Sequence, residues 1–402
     1  MNIFENLGLA NQTVTAIKNL GITTPTEIQI KSIPNIISLK DVIGESATGS
    51  GKTLAFGCGI VEQVMPKQGL QALILTPTRE LAEQVKTSLK QISYHKNLNI
   101  ISVYGGVSIN PQIHDLSNAE VVVGTPGRLL DHLQRRTIDT SKIKLLVLDE
   151  ADRMFDMGFI DDVKKIIQAC PSKRQTLFFS ATISSKIKNL ANDYMIKPIL
   201  VSATKLVDPS KLKQEYYNVE KNMKLSLLVH LLKNERSDLV MIFCNSRKNT
   251  DFVSKNLIAN EIKSISIHGG LSQNKRNHTI KLFNDHKINV LVCTDVASRG
   301  LHIDNVSHIY NYDIPKDPND YVHRIGRTAR AGEQGKVINI LCQYDHDSFS
   351  RVFHEYPEFS IEKLDTPYLN KIRSVLDNFR RPNRFRRPNN FGRRPSYNRR
   401  RR

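Results

Sequence analysis

The sequence predicts an α/β protein of two domains, each built on a parallel sheet, followed by a disordered basic tail. Three observations carry this. Up to about residue 375, short near-continuous apolar runs alternate with longer mixed segments, the pattern of strands buried on both faces of a parallel sheet. The runs form two series, separated by a turn-rich stretch around Asp208-Pro209-Ser210 with few large apolar residues. The last 25 residues hold 11 Arg and no acidic residue, and such a segment cannot bury enough apolar surface to fold alone.

In the first series, residues 72–76, 121–124, 145–149 and 177–180 read as strands, with a helix over 79–92. In the second, residues 239–244, 264–268, 290–294 and 337–341 read as strands, with a helix over 248–260. Strand–helix alternation of this kind implies α/β architecture. The polar stretch over 202–213 divides the folded part into halves of roughly 200 and 160 residues, each an ordinary domain size. The domain limits read as 1–204 for the first domain, 205–212 for the linker, 213–365 for the second domain and 366–402 for the tail.

The 402 residues carry a net charge of +19, with 40% hydrophobic and 24% charged residues, ordinary values for globular domains. No apolar run approaches the ~20 residues of a membrane-spanning helix. The opening Met-Asn-Ile-Phe-Glu lacks the basic and apolar regions of a signal peptide. A cytoplasmic location, away from membranes, is the expectation. Cys58, Cys170, Cys244, Cys293 and Cys342 lie far apart, mostly in apolar runs. They read as buried thiols in a reducing compartment rather than as disulfides or zinc ligands. Because 11 of the 19 excess charges sit in residues 378–402, the rest of the chain carries only +8.

The sharpest local signal runs from Asp41 to Thr53, a strand-like start followed by a Gly-rich turn and a helix. Gly49 and Gly51 let the backbone approach phosphates and aim its N–H groups inward. Lys52 adds a point charge at the β- and γ-phosphates, and Thr53 offers a hydroxyl to Mg²⁺. Ser46, Ala47, Thr48 and Ser50 complete this cradle for ATP, with Ser46 standing where the Walker pattern has its first Gly. Downstream, the apolar run 145–148 ends in Asp149-Glu150-Ala151-Asp152, at a strand end where α/β sheets place ligands. Asp149 is suited to hold Mg²⁺ through water, and Glu150 to orient and deprotonate an attacking water. In the second half, Arg327 and Arg330 are three apart and would share one helix face. Two guanidinium groups there match the role of stabilising γ-phosphate charge in a transition state. His323 joins them in the candidate catalytic set.

Taken together, these residues resemble the DEAD-box ATP-dependent RNA helicases, whose name Asp149-Glu150-Ala151-Asp152 spells. The resemblance runs from residue 1 to about 345 with the motifs in order. It implies two tandem RecA-like domains, the first the helicase ATP-binding domain and the second the helicase C-terminal domain. It implies that Gln29 reads the adenine edge and that Phe4 stacks on the adenine ring. RNA contacts are implied for Pro77, Thr78, Arg79, Gly105, Gly106, Thr125, Gly127, Arg128, Arg276 and Thr294. Coupling between nucleotide and domain movement is implied for Asp152, Ser180, Thr182, Arg299 and Gly300. His302 departs from the Asp that many members carry, and Ala329 from the usual Gly.

The implied activity is RNA-stimulated ATP hydrolysis coupled to local unwinding or remodelling of structured RNA or RNA–protein complexes. Contacts to sugar and phosphate carry little sequence information, and the 2′-OH would separate RNA from DNA. The alternatives are an ATP-switched RNA clamp or annealing protein without productive unwinding, and a DNA-translocating helicase. The chain is expected to be monomeric, with ribosomal particles or the RNA-decay machinery as settings for its RNA. In the tail, Phe379, Phe385, Phe391 and Tyr397 recur among the arginines. That composition points to sequence-independent RNA binding by phosphate neutralisation and base stacking.

Overall fold

The computed structural model describes residues 3–46, 49–203, 212–298, 303, 306–328, 335–372 and 375. The first sheet is formed by β1 (Val42–Glu45), β2 (Ala72–Leu75), β3 (Ile100–Val103), β4 (Val121–Gly124), β5 (Leu145–Asp149), β6 (Gln175–Ser180) and β7 (Ile199–Ser202). The second contains β8 (Leu212–Asn218), β9 (Leu239–Phe243), β10 (Ser264–Ile267), β11 (Val290–Cys293), β12 (Val306–Asn311), β13 (Gly335–Leu341) and β14 (Ile361–Leu364). Their spatial orders are β3-β4-β2-β5-β6-β1-β7 and β10-β11-β9-β12-β13-β8-β14. All these pairings are parallel.

The unbroken apolar runs arise because successive side chains of a strand point to opposite faces, and both faces are packed. Along β5, Leu145 and Val147 enter one apolar core, while Leu146 and Leu148 enter the other. Along β9, Leu239, Met241 and Phe243 face one core, and Val240 and Ile242 the second. The order of the first sheet also builds the site. Because β6 lies between β5 and β1, the segments that follow these three strands emerge side by side.

Several strands fall outside the expected set. β7 and β14 lie at sheet edges with partly exposed side chains, so they lack the doubly buried signature. β8 opens with Leu212 and then runs through the three consecutive polar residues Lys213, Gln214 and Glu215, and β12 carries Ser307 and His308. Leu212, expected in the linker, is the first residue of β8. The start of the tail is also corrected. Leu369 and Ile372 pack against the second domain, and Thr366 Oγ1 donates to the Asn218 carbonyl at 2.9 Å. Farther along, Ile372 N donates to Ser226 Oγ at 3.2 Å and Val375 N to Asn256 Oδ1 at 2.7 Å. Two apolar anchors and these hydrogen bonds fasten the chain to Val375. The linker positions 205–211, His302, Ala329 and the aromatic and Arg-rich positions of 378–402 lie outside the described residues.

Gly44 sits opposite Phe179 in the β1–β6 pairing, and a Cβ there would come within 2.5 Å of the ring. Overpacking of this kind costs about 1–3 kcal/mol. Gly44→Val should therefore lower the urea midpoint of the first domain without changing the slope of the transition.

Candidate active site

Directly after β1 the chain turns through Gly49 and Gly51, whose φ values of 86° and 90° lie in the left-handed region open to glycine. The helix Lys52–Gln63 starts at the next residue, so its first free N–H groups point into this turn. Lys52 is buried and donates from Nζ to the Ser46 carbonyl at 2.7 Å. The hydroxyls of Ser46 and Ser50 lie 2.8 Å apart, which closes the loop on itself where a first Gly would have left it open. Ala47 and Thr48 lie outside the described residues. Thr53 follows Lys52 in the helix.

A second element braces the loop from behind. Thr26 caps the Glu27–Ile37 helix, and its backbone N–H donates to Gln29 Oε1 at 3.0 Å. Gln29 Nε2 donates to the Gly51 carbonyl at 3.0 Å, and Thr26 Oγ1 to that of Ser50 at 2.7 Å. A carboxamide has two N–H donors and two acceptor lone pairs, so Gln29 keeps one donor and one acceptor site beyond these bonds. Phe4, expected to stack on adenine, lies in the same domain. Its ring is fully buried in the first domain's apolar core, tucked there by the short turn Glu5–Leu7.

At the end of β5, Asp149 is buried, and that burial pushes its carboxyl up to about 7 against the opposing charge of Lys52. Glu150 has φ 52°, a conformation unusual for a side-chain-bearing residue. Its Oε2 is buried without a hydrogen-bond partner among the described residues. An orphaned carboxylate oxygen beside a destabilised carboxylate and a lysine suits a divalent cation arriving with a nucleotide. Asp152 turns away from this pair. Its Oδ2 accepts from the backbone N–H groups of Ala181 and Thr182 at 3.2 Å each and from Thr182 Oγ1 at 3.4 Å. Ser180 Oγ accepts from Asp152 N at 3.2 Å and donates to the Thr182 carbonyl at 2.8 Å. The structure thus brings Asp152, Ser180 and Thr182 together as one knot between the ends of β5 and β6.

In the second domain, His323 lies on the helix Pro318–Ile325. Burial holds its imidazole below the usual histidine range, with the nearby Asp320 opposing. Arg327 follows the helix and is 3% exposed. Thr328 Oγ1 donates to the Val306 carbonyl. Arg299, Gly300 and Arg330 lie outside the described residues. The residue that sequence reasoning missed is Arg324, which is 1% exposed. Its Nε and Nη2 bind both oxygens of Asp295 at 2.6 and 2.7 Å. Nη1 reaches Asn311 Oδ1 and the Asp313 carbonyl, and Nη2 also reaches Asn245 Oδ1. All five donors of the guanidinium are engaged, so Arg324 bolts this helix to the sheet. The only sequence signal was a third arginine among the other two.

The implied RNA residues gather along the ends of β2, β3 and β4. Thr78 Oγ1 accepts from Leu81 N at 3.3 Å and caps the helix Arg79–Ile92 just after Pro77. The Arg79 guanidinium lies over Gly106, where a Cβ would overlap it. Gly105 precedes it, and Arg128 Nη2 donates to the Val107 carbonyl at 2.9 Å. Thr125 and Gly127 flank the start of the helix Pro126–Gln134, and a Cβ at Gly127 would meet open space. In the second domain, the Thr294 carbonyl accepts from Ala297 N and Ser298 N. Arg276 has an unexpected protein partner. Its Nη2 lies 3.0 Å from Glu80 Oε1 of the first domain, an oxygen that also accepts from Gln273 Nε2 at 3.0 Å.

Known proteins share this arrangement. Residues 26–190 match the family model of DEAD/DEAH box helicases, and residues 223–332 that of the helicase conserved C-terminal domain. The ATP-dependent RNA helicase CshA of Listeria monocytogenes is 41% identical over 370 residues, covering 91% of this chain and 71% of that protein. CshA of Bacillus subtilis is 40% identical over 371 residues, covering 92% and 75%. Among solved structures, S. cerevisiae Dbp5 bound to RNA and ADP BeF3 is similar with a TM-score of 0.83 at 29% identity, covering 91% of this chain and 96% of that one. A DEAD box protein from Methanococcus jannaschii gives 0.55 at 40% identity, covering 90% and 98%.

A Cβ at Gly51 would overlap Gln29 Nε2, and the φ of +90° strains any side chain there. Strain of about 1–3 kcal/mol corresponds to roughly five-fold to a hundred-fold in affinity. Gly51→Ala should weaken binding of a fluorescent ATP analogue by that factor while leaving thermal unfolding of the second domain in place.

Proposed function

The chain belongs to the DEAD-box family of ATP-dependent RNA helicases, and we propose that its two domains act as an ATP-closed clamp on RNA. Lys52 and the Gly49–Gly51 turn grip the phosphates of the substrate ATP, and Gln29 offers its remaining donor and acceptor to the adenine. Thr53 and Asp149 would hold Mg²⁺, largely through water, and the ion supplies positive charge to the phosphates. Glu150 orients the attacking water and accepts its proton. Arg327 and Arg330 approach from the second domain and stabilise charge on the transferred phosphate, with His323 beside them. The observation that carries this reading is the division of labour: the carboxylates end a strand of the first sheet, while Arg327 belongs to the second domain. A site split in this way is complete only when the domains close.

RNA would lie across the ends of β2, β3 and β4 and the facing part of the second domain. Arg79, Arg128 and the backbone at Gly105, Gly106 and Gly127 would meet sugar and phosphate, which favours structured or double-stranded RNA without much sequence preference. Closure with bent RNA separates strands locally. Both halves of the site lie in one chain, which supports a monomer. The five cysteines are free and buried, which supports a reducing cytoplasm. Ribosomal particles and RNA-decay assemblies are settings rich in such RNA. The domain limits follow as 1–204 and, with the anchored segment added, 212–375. The Arg-rich remainder serves as an RNA tether.

Two measurements test this. Glu150→Gln should lower RNA-stimulated phosphate release by about 10²–10⁴-fold and hold the protein on RNA in the presence of ATP; parental turnover would remove Glu150 from its role. Truncation after Asp377 should weaken RNA affinity and flatten its dependence on salt, since each phosphate no longer neutralised reduces the slope by roughly 0.7–0.9. An unchanged slope would refute the tether.

A further inference from the structure

The geometry points to Arg153 and Asp320 as the pair that sets the register of the two domains in the closed site, a role that rests on the clamp reading above. Arg153 directly follows Asp149–Asp152 on the helix Ala151–Asp156. Its side chain is 3% exposed, and Nη1 lies 3.6 Å from Oδ1 of Asp320 in the second domain. That Nη1 is buried without a hydrogen-bond partner among the described residues. A slight further approach would bring it to the roughly 2.7–2.9 Å of a charge-assisted hydrogen bond.

The two ends of this contact are attached to different parts of the reaction. Arg153 N donates to Asp152 Oδ1 at 3.0 Å, and the other oxygen of Asp152 holds the turn after β6. Asp320 occupies the first turn of Pro318–Ile325. Residues 320, 323, 324 and 327 are spaced three or four apart, so Asp320 lines up with the segment leading to Arg327. His323 Nδ1 is 4.0 Å from the same Asp320 oxygen, but burial favours its neutral form. Arg153 is then the permanent cation that faces Asp320 across the interface.

Domain separation would expose Arg153 to water on this side, and closure would dry it. A buried guanidinium is tolerated only when paired. Any closure in which Asp320 misses Arg153 therefore carries a penalty, and the productive alignment of Arg327 with Asp149 and Glu150 is favoured by exclusion of the others. Arg153 and Asp320 are positioning residues, touching neither ATP nor RNA.

The test uses the full chain and a labelled single-stranded RNA, whose affinity is measured with and without a nonhydrolysable ATP analogue and Mg²⁺. Asp320→Asn should leave RNA affinity without nucleotide at the parental value and reduce the analogue-induced tightening by about ten-fold, within the usual range of coupling between sites. Arg153→Gln should do the same, and the double variant should lose no more than either single one, because the pair acts as a unit. Arg153→Lys should restore part of the tightening. Asp320 is 23% exposed, so its Asn variant decides the matter even where Arg153→Gln does not fold. Parental tightening in Asp320→Asn, or losses that add in the double variant, would overturn the register role. Absence of tightening in the parent would instead overturn the clamp reading on which it rests.

Discussion

Asp149 and Glu150 stand side by side at the end of β5, both nearly removed from water, and negative charge so placed is unfavourable until a cation reaches it. Burial raises the Asp149 carboxyl, Lys52 pulls it back, and Glu150 raises it again. The surrounding structure answers that tension. Lys52 lies at the start of the neighbouring helix, folded onto the Ser46 carbonyl. Asp152 is kept out of the crowd by the backbone of Ala181 and Thr182. What the first domain leaves uncompensated is what a magnesium nucleotide and the arginines of the second domain would satisfy.

The braces around the site share a form: a side chain, buried at Gln29 and Asp152, that holds backbone of a neighbouring segment. Gln29 holds Gly51, Thr26 holds Ser50, and Asp152 holds the turn after β6. Backbone held in this way cannot shift without carrying its partner along. The Gly-rich turn is thereby tied to the Glu27–Ile37 helix and its cap, and the end of β5 to the end of β6. Glu80 extends the same economy across the domains by accepting from Gln273 and pairing with Arg276.

The fold class was legible because parallel strands packed on both faces read as unbroken apolar runs, as β5 and β9 do. It failed at β7, β8, β12 and β14, where exposure or runs of polar residues erase that pattern. The Asp152–Thr182 knot was legible through the resemblance, since each motif is a short contiguous string. Arg324 was not, because its partners Asn245, Asp295, and Asn311 with Asp313 come from the ends of three different strands and no spacing announces them. The same holds for Glu80 with Arg276. For Phe4 the motif position is read from the chain, and the structure adds that its ring is buried in the core. Residues 366–375 read as tail because Leu369 and Ile372 are too few to form a periodic signal, yet two anchors suffice once a domain surface receives them.

That fastening at Val375 has a mechanical meaning. The Arg-rich remainder is moored to the body that carries Arg327, not to the one that carries Lys52. The residues that fasten it, Asn256, Ser226 and Asn218, lie on two helices and a strand of the second domain. An RNA held by the proposed tether would therefore travel with the second domain, as cargo on the moving arm of a crane. Its drag would then act as a bias on opening and closing rather than as a disturbance of the phosphate cradle.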